Sequence, residues 1–254
     1  MKPNPPASGR RRLDDLLVSR GLFASRSRAR DAVERGTVRV NGTVAAKPGQ
    51  MMAPDAVLDV DDPARAYVSR AALKLIAGLD RFGFDAAGCE ALDIGASTGG
   101  FTQVLVERGA AHVTAIDVGH GQMHPSIAAD PRVRSIEGLN ARDLTAADLE
   151  GRAPDFVVSD VSFISLKLAL PPALDLARPG ARAVLLVKPQ FEAGREAIGK
   201  GGLLKDPEMA EAVADGLRLW LDGLPGWRAL GLTPSPIEGG DGNREFLLGG
   251  VKDR

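Results

Sequence analysis

Hydrophobic residues near the start of the chain recur at the period of a helix. From Leu13 onward this spacing predicts a helix over residues 13–20 that ends at Gly21. A second helix is predicted over residues 26–35, with small apolar residues on one face and arginines largely on the other, and Gly36 suits its C-terminal end. We therefore expect a pair of short helices at the N-terminus.

The residues after these helices alternate as β-strands do. Val38 and Val40 predict one strand, and Asn41-Gly42 supplies a hairpin turn into Val44. A further strand is predicted over residues 57–60. Helices and strands together predict a small α+β unit.

From Glu90 onward, strand-like and helix-like segments alternate. The strand-like segments are nearly all apolar, as expected for a parallel sheet covered on both faces, and the alternation indicates a doubly wound α/β fold. Strands are predicted over residues 91–94, 113–118, 133–137, 156–159 and 183–187, helices over 101–108, 166–177 and 207–221, and a final antiparallel pair over 227–232 and 245–251. We expect a small domain with a flexible start over residues 1–60, a linker over 61–70 and a mostly parallel domain over 71–254.

Positive charge is concentrated in the N-terminal part. Residues 1–47 contain eleven Lys/Arg and four Asp/Glu, a net charge of +7, and the remainder carries −8 because the whole chain is at −1. A basic head on an acidic body is typical of a nucleic-acid-binding module. A solvated cationic tail is the alternative, which the predicted helices and strands make less favourable. The arginines that we predict to bind RNA are Arg11, Arg12, Arg20, Arg26, Arg28, Arg30, Arg35 and Arg70.

Composition argues against several other classes of protein. Aromatic residues make up 4% of the chain, too few for base stacking to be the main mode of nucleic-acid recognition. No apolar run approaches the roughly 18 residues of a membrane span, and residues 1–12 lack the apolar core of a signal peptide. Cys89 is the only cysteine, which excludes an internal disulfide and a multi-cysteine zinc site. These features predict a cytoplasmic protein.

A glycine-rich turn follows the first strand of the larger domain. Residues 93–100 are Asp-Ile-Gly-Ala-Ser-Thr-Gly-Gly, and glycines at a strand-to-helix turn let a ligand approach the backbone closely. Asp117 ends the next strand, 22 residues beyond Gly95, where a carboxylate can accept hydrogen bonds from the ribose hydroxyls of an adenosine. The spacing Gly-x-x-x-Gly-Gly differs from the Gly-x-Gly-x-x-Gly of dinucleotide enzymes. We predict S-adenosylmethionine as the cofactor, with an NAD-like cofactor and a purely structural turn as alternatives.

The predicted cofactor site extends beyond this turn. Asp93 can engage the cationic amino-acid end of S-adenosylmethionine, directly or through water. Asp143, after the third strand, can contact the adenine, with a helix N-cap as the alternative. The residues predicted to bind the cofactor are Asp93, Gly95, Ala96, Ser97, Thr98, Gly99, Gly100, Phe101, Asp117, Val118, Asn140, Asp143 and Asp160.

Four charged residues lie where open α/β sheets build active sites. Asp160 and Lys188 each follow a predicted strand directly, Glu245 begins the last strand, and Lys74 lies in the helix before the sheet. A lysine after five apolar strand residues is costly to bury without a carboxylate partner. A structural ion-pair network is the alternative to a catalytic set.

The motifs of this chain resemble those of the TlyA proteins, which are S4-domain-bearing members of the FtsJ-like ribose 2′-O-methyltransferases. The resemblance covers nearly the whole chain, from Arg12 to Val251. The motifs that carry it are Arg12-Leu13-Asp14, Ser25–Ala29, Ser69–Leu75, Asp93–Gly100, Asp117–Gln122, Ser159–Phe163 and Val187–Glu192. The family's Arg-x-Trp-x-Ser linker corresponds to residues 65–69, where Tyr67 replaces Trp, so its role in cofactor binding stays open.

This resemblance implies an S4-type RNA-binding domain before a Rossmann-like methyltransferase domain. It implies ribosomal RNA and ribosomal subunits as partners, with cytidine in 16S and/or 23S RNA as the target. The family's Lys-Asp-Lys-Glu tetrad corresponds to Lys74, Asp160, Lys188 and Glu245.

These residue types suit methyl transfer to a ribose. The 2′-hydroxyl must lose its proton as it attacks the methyl group, and a neutral lysine can take that proton. Burial and a neighbouring cation favour the neutral form of a lysine. We predict Lys188 as the base and Lys74 as the neighbouring cation, with Asp160 and Glu245 orienting them and the ribose.

Three other functions stay open on the residues alone. A non-catalytic RNA-binding or ribosome-assembly factor would not need the tetrad and the glycine turn. Membrane lysis is suggested by the hemolysin-like description of the family, but the sequence has no apolar run long enough to span a membrane. A small-molecule or protein methyltransferase would leave the basic module unexplained. His120 and His124 lack a third ligand, so we predict no metal; the oligomeric state is left open.

Overall fold

The computed structural model of the protein describes residues 9–240 and 242–253. It divides the chain into two compact units, with the boundary between Ala66 and Tyr67. Pro63–Ala66 form a 3-10 turn within the predicted linker. The domain bounds stay a prediction, and the flexible start falls on residues 1–8, outside the described part.

The first unit contains a helix pair and short strands. Ser25 caps the second helix, because its side chain accepts a hydrogen bond from the Arg28 N–H. Asn41 and Gly42 both have positive φ, 49° and 81°, as the predicted hairpin turn requires. The helices are α1 (Leu13–Ser19) and α2 (Arg26–Glu34), and the strands are β1 (Arg11–Arg12), β2 (Val38–Val40), β3 (Thr43–Val44), β4 (Met51–Met52) and β5 (Leu58–Val60).

Apolar residues from the helices and strands form one core in this unit. Leu13, Leu17, Ala29, Val33 and Val38 are all buried within it. Strand β2 lies between β3 and β5, and β1 pairs with β4 in a second small sheet that the sequence did not predict.

The second unit is a seven-stranded sheet with helices around it. Its strands are β6 (Glu90–Ile94), β7 (His112–Asp117), β8 (Val133–Glu137), β9 (Phe156–Ser159), β10 (Arg182–Val187), β11 (Trp227–Pro234) and β12 (Phe246–Lys252). Its helices are α3 (Ala72–Phe82), α4 (Gly100–Glu107), α5 (Pro125–Ala128), α6 (Leu166–Ala169), α7 (Pro171–Leu176), α8 (Pro189–Glu192) and α9 (Met209–Asp222).

The order of the strands explains where a site can form. The sheet order is β11-β12-β10-β9-β6-β7-β8, with the five strands from β10 to β8 parallel and β12 antiparallel to β10. The chain runs outward from β6 through β7 to β8 and then returns to the other side of β6 at β9. This reversal creates a switch point between β6 and β9, where open α/β sheets bind ligands at the carboxyl ends of their strands. The predicted doubly wound, mostly parallel fold is confirmed.

One predicted helix is divided in the structure. The sequence predicted a single helix over residues 166–177, but α6 ends at Ala169 and α7 begins at Pro171. A proline has no N–H to donate and disfavours helical backbone in the residue before it, so Pro171 and Pro172 start a new helix.

Candidate active site

The glycine turn after β6 brings two loops into close contact. Gly95 has φ of +80°, and a Cβ at this position would lie 2.9 Å from the backbone carbonyl oxygen of Asp160. The Asp160 N–H donates to the Ile94 carbonyl oxygen at 3.0 Å. Only a residue without a side chain fits between these backbones, and this fit holds the glycine turn against the loop that carries Asp160.

Two cavities adjoin this turn at the carboxyl edge of the sheet. The larger has a volume of about 470 Å³ and the smaller about 170 Å³, and both are lined by Gly95, Ser97, Asp160 and Ser162. The larger cavity is further lined by Ile94, Ile116, Asp117, Val118, Gln122, Leu139, Asn140, Ala141, Val161, Phe163, Ile164 and Ala169. The smaller is further lined by Ser69, Ala71, Ala96, Thr98, Gly100, Phe101 and Lys188.

The charge of the larger cavity suits a cationic ligand. Its lining contains Asp117 and Asp160 and, among the described residues, neither lysine nor arginine. A diphosphate would face two carboxylates there, whereas a sulfonium with an adenosine would be attracted. The residues therefore fit S-adenosylmethionine better than a dinucleotide.

Asp93 lies beneath the turn and not in the wall of either cavity. It is fully buried, and Thr102 Oγ1 donates to its Oδ2 at 2.6 Å. Its Oδ1 has no hydrogen-bond partner within the described part of the chain. Burial raises the pKa of Asp93 to about 7, and the charges of Asp160 and Asp117 add to that rise. The orphaned oxygen is an acceptor ready for a donor from a ligand or a bound water.

Asp117 lies at the end of β7, as predicted, and faces the larger cavity. Its two oxygens accept from the N–H groups of Ser97 at 2.8 Å and Gly119 at 2.7 Å. A carboxylate has about four acceptor positions, so it can also accept from a ribose.

Asn140 and Asp143 differ in their position. Asn140 lines the larger cavity and caps the 3-10 turn Ala141–Asp143 by accepting from the Arg142 N–H. Asp143 is exposed at the end of that turn and lines neither cavity. The wall near the predicted adenine position is formed by Asn140 and Ala141 instead, because the turn directs the Asp143 side chain to solvent. The N-cap considered for Asp143 is also supplied by Asn140.

The four residues of the tetrad form two ion pairs. Lys188 Nζ lies 2.6 Å from Asp160 Oδ1 and donates to Ser162 Oγ at 2.7 Å. Lys74 Nζ donates to Glu245 Oε2 at 2.5 Å, and both of these side chains are buried. Lys188 lines the smaller cavity, whereas Lys74 and Glu245 line neither.

Strand pairing places these ion pairs side by side. Val187 of β10 pairs with Phe246 of β12, so Lys188 and Glu245 are the next residues at the same end of two adjacent strands. Strand β9, which Asp160 follows, pairs with the other side of β10. The two ion pairs thus lie on adjacent strands at the carboxyl edge of the parallel sheet, while the catalytic roles of the four residues stay a prediction.

Several lining residues were not predicted as site residues. Ser69, Gln122, Ser162 and Phe163 all lie within motifs that carried the family resemblance, and that was the only signal for them. Phe163 is 90% exposed at the rim of the larger cavity and has a φ of +65°. Its ring centroid lies 5.0 Å from that of Phe191.

Part of the predicted RNA-binding arginine set serves the fold of the first unit. Arg12 makes two hydrogen bonds to the buried Asp14 and holds the pKa of that carboxyl at about 2. Arg26 also contacts Asp14, and Arg35 binds Asp31 and Asp62 at 2.8–2.9 Å. The Arg35 side chain is only 14% exposed and holds these two acids, while the RNA contact predicted for it stays a prediction.

The remaining arginines of the predicted set differ in their contacts and in their exposure. Arg20 donates to the carbonyl oxygens of residues 54 and 56, and Arg28 donates to that of residue 64. Arg11 and Arg30 are exposed, and Arg70, in the second unit, is half-buried.

His120 and His124 do not share a helix. His124 caps α5 through its ring nitrogen, and His120 lies in the turn after β7. Across residues 9–240 and 242–253, no group of three or more His, Cys, Asp or Glu could hold a metal ion. None of the helices in those ranges has the length and apolarity that crossing a bilayer requires.

Comparison with known proteins identifies both parts of the chain. The FtsJ-like methyltransferase model matches residues 67–252, and the S4 domain model matches residues 11–58. The 16S/23S rRNA (cytidine-2′-O)-methyltransferase TlyA of Mycobacterium tuberculosis is 45% identical over 240 residues, which cover 94% of this chain and 89% of that protein. The chain belongs to the TlyA proteins of the FtsJ-like methyltransferase family.

Two further relatives extend this result. The 23S rRNA (cytidine-2′-O)-methyltransferase TlyA of Campylobacter jejuni is 32% identical and covers 94% of this chain and 99% of that protein. A solved structure from Streptococcus thermophilus, of a protein named as a hemolysin, is 40% identical with a TM-score of 0.74 and covers 97% of this chain and 90% of that one. The predicted combination of an S4 domain with an FtsJ-like methyltransferase is confirmed.

Proposed function

We propose that this protein transfers a methyl group from S-adenosylmethionine to a ribose 2′-hydroxyl of ribosomal RNA. The observation that carries this function is the Lys188–Asp160 ion pair at the junction of the two cavities, next to the glycine turn. The relatives named as rRNA cytidine-2′-O-methyltransferases support cytidine of 16S and/or 23S RNA as the target. Such a substrate places the activity on ribosomal subunits in the cytoplasm.

The residues proposed to hold the cofactor surround the two cavities. Asp117 accepts from the ribose of the adenosine, residues 95–101 and Asn140 approach the ligand along the wall, and Val118 covers it at the rim. Asp93 receives a donor from the amino-acid end through its orphaned Oδ1, directly or through water. When bound, S-adenosylmethionine supplies a methyl group already activated by its sulfonium.

We assign Lys188 as the base that takes the proton of the ribose 2′-hydroxyl. Asp160 and Ser162 fix its Nζ at the edge of the smaller cavity, and the pairing with Asp160 balances the charge of the ammonium form. A proton must leave Nζ before Lys188 can act as the base. Lys74 adds a second cation nearby, but Glu245 balances its charge, so we assign Lys74 mainly to holding Glu245 in the sheet edge.

We assign Phe163 to stacking on a nucleobase of the RNA. An aromatic ring that is 90% exposed at the rim of a polar site offers a stacking surface, and stacking of a base on an aromatic side chain contributes about 1–3 kcal/mol. A single stacking contact is compatible with the low aromatic content of the chain. Arg11 and Arg30 of the first unit are assigned to RNA phosphates.

The experiment is methylation of isolated ribosomal subunits. Purified protein is incubated with labelled S-adenosylmethionine and with 30S or 50S subunits separately, and 2′-O-methyl positions are mapped by reverse-transcription stops. We expect incorporation at a cytidine in at least one subunit. Incorporation into neither subunit would contradict the proposed function, and label on a protein would redirect it to another substrate class.

A further inference from the structure

Glu192 connects the two loops that carry the proposed base and its carboxylate partner. Its Oε2 accepts from Ser165 Oγ at 2.6 Å and its Oε1 accepts from the Leu166 N–H at 2.7 Å. Both oxygens of one side chain are therefore used to hold a segment 26 residues earlier in the chain. Glu192 does not line either cavity, and the proposed mechanism gives it no role.

On one side, Glu192 is rigidly connected to Lys188. The one-turn helix α8 has Lys188 as its N-cap and Pro189 as its first residue, which fixes the backbone where the lysine leaves the sheet. The Phe191 N–H donates to the Lys188 carbonyl oxygen at 2.9 Å. A displacement of the Glu192 end of this turn would therefore displace the start of the turn as well.

On the other side, Glu192 holds the end of the loop from Asp160 to Ser165. Within this loop, Phe163 has a left-handed φ of +65°, a conformation that costs a non-glycine residue about 1 kcal/mol or more. Such a conformation persists only where the surroundings fix it. Besides the Phe163–Phe191 ring contact, the two hydrogen bonds to Glu192 restrain the end of this loop.

We propose that Glu192 is a positioning residue for methyl transfer, a role that rests on the proposed function. Its carboxylate sets the separation of the Asp160 and Lys188 loops, and thereby the position of Lys188 Nζ and the Phe163 ring. Removing the carboxylate lowers the rate of the chemical step while cofactor binding stays intact, since Asp117 and Asn140, which we assign to the adenosine, lie at the ends of β7 and β8 and not on the loops that Glu192 joins.

The test compares four variants in the full-length protein. Glu192→Ala removes both contacts, and Glu192→Asp keeps the charge but is one methylene too short to reach both partners. Glu192→Gln can restore both, because its oxygen accepts from Leu166 N–H and its amide donates to the hydroxyl oxygen of Ser165. Glu196→Ala, an exposed acid four residues later, controls for the loss of one carboxylate.

Three quantities are measured for each variant. The single-turnover rate at saturating subunits and S-adenosylmethionine reports the chemical step, titration calorimetry reports S-adenosylmethionine affinity, and thermal unfolding reports stability. For Glu192→Ala and Glu192→Asp we expect the single-turnover rate to fall about 10- to 100-fold, with cofactor affinity within about threefold of the wild type, because a displacement of about 1 Å near the reacting atoms has such an effect. Glu192→Gln and Glu196→Ala should stay near the wild-type rate.

The outcomes separate this role from a structural one and from the proposed function itself. If Ala, Asp and Gln variants all have the wild-type rate, the positioning role is wrong. If all three lose rate and cofactor affinity together with melting temperature, Glu192 only stabilises the fold, which also overturns the proposal. A wild-type protein that methylates neither subunit contradicts the proposed function instead, before any variant is compared.

Discussion

The two lysines of the tetrad have different surroundings. Lys188 lines the smaller cavity, whereas Lys74 lines neither cavity and is buried with Glu245 as its ion-pair partner. Truncating Lys188 removes the proposed base from the cavity, while truncating Lys74 leaves the more deeply buried carboxylate, that of Glu245, without its partner. We therefore expect the loss of Lys188 to affect mainly activity and the loss of Lys74 to affect mainly stability.

Lys188→Ala is expected to abolish methyl transfer and to leave S-adenosylmethionine affinity within about threefold of the wild type, because the larger cavity keeps its whole lining.

Lys74→Ala is expected to lower the free energy of unfolding by about 3–5 kcal/mol, since Glu245 would stay buried without its partner. Transfer assays, calorimetry and chemical denaturation measure these effects. A fully active Lys188→Ala protein would rule out Lys188 as the base.

Asp93 predicts a stability that depends on pH. Burial raises its pKa from the ordinary value of 3.8 to about 7 in the folded protein. Between these values the folded state keeps a proton that the unfolded state releases, so the folded state loses stability as pH rises, by about 1.4 kcal/mol per pH unit from this group. The stability that protonated Asp93 contributes is fully lost once the pH passes the pKa of Asp93 in the folded protein.

Asp93→Asn isolates this effect, because asparagine is neutral at every pH and can still accept from Thr102. Denaturant unfolding of both proteins is measured between pH 4 and pH 8, and the other titrating groups cancel in the difference. We expect the two to be similar near pH 4 and the wild type to become progressively less stable than the variant toward pH 7. A difference that stays constant with pH would mean that Asp93 ionises at its ordinary value.

At the scale of elements, the site depends on the contact between the β6–α4 turn and the β9–α6 loop. Gly95→Ala would place a Cβ 2.9 Å from the Asp160 carbonyl oxygen at a φ of +80°, so backbone must move. We expect a loss of S-adenosylmethionine affinity of about tenfold or more and a destabilisation of about 2 kcal/mol. Calorimetry and thermal unfolding measure both.

Gly216→Ala is the matched control for this substitution. Gly216 lies inside α9 with open space around its Cβ position. Alanine is favoured over glycine in a helix by about 0.5–1 kcal/mol, so this variant should be more stable and bind S-adenosylmethionine normally. Equal effects of the two variants would show that the contact at Gly95 is not what matters.

Elements were predictable where one local signal decides them. Strand β9 has the predicted bounds because three apolar residues, Phe156 to Val158, stand between polar ones, and the hairpin at Asn41-Gly42 follows from its turn residues. The tetrad positions followed from strand ends and family resemblance. The break at Pro171 was missed because helical periodicity continues across it.

The surroundings of Arg35 and Asp143 could not be predicted, because they depend on contacts that sequence spacing does not report. Arg35 was predicted from its charge to bind RNA, but Asp62, 27 residues later, binds it. Asp143 was placed by its distance from a strand, while the 3-10 turn decides which side chain faces the cavity. Spacing along a sequence reports which residues share an element, and it does not report the partner of a side chain.

At the scale of the whole molecule, the charge asymmetry has to be divided between arginines that bind groups of the protein and arginines that are exposed to solvent. The N-terminal part carries a net charge of +7, yet several of its arginines are bound to acids or carbonyl groups of the same unit. Only arginines with free access to solvent can release counterions from RNA. The number of phosphate contacts should therefore be smaller than the charge count suggests.

Arg30→Ala and Arg35→Ala separate these two kinds of arginine. Arg30 is exposed on α2, so its removal should weaken binding to ribosomal subunits and reduce the slope of log K against log salt by about 1, with an unchanged melting temperature. Arg35→Ala leaves Asp62, a nearly buried acid, without its partner, and should lower the melting temperature. Filter binding over a salt series and thermal unfolding measure both variants. If Arg30→Ala left the salt slope unchanged while Arg35→Ala reduced it at a constant melting temperature, the basic surface would have to be assigned to the Arg35 side of the unit.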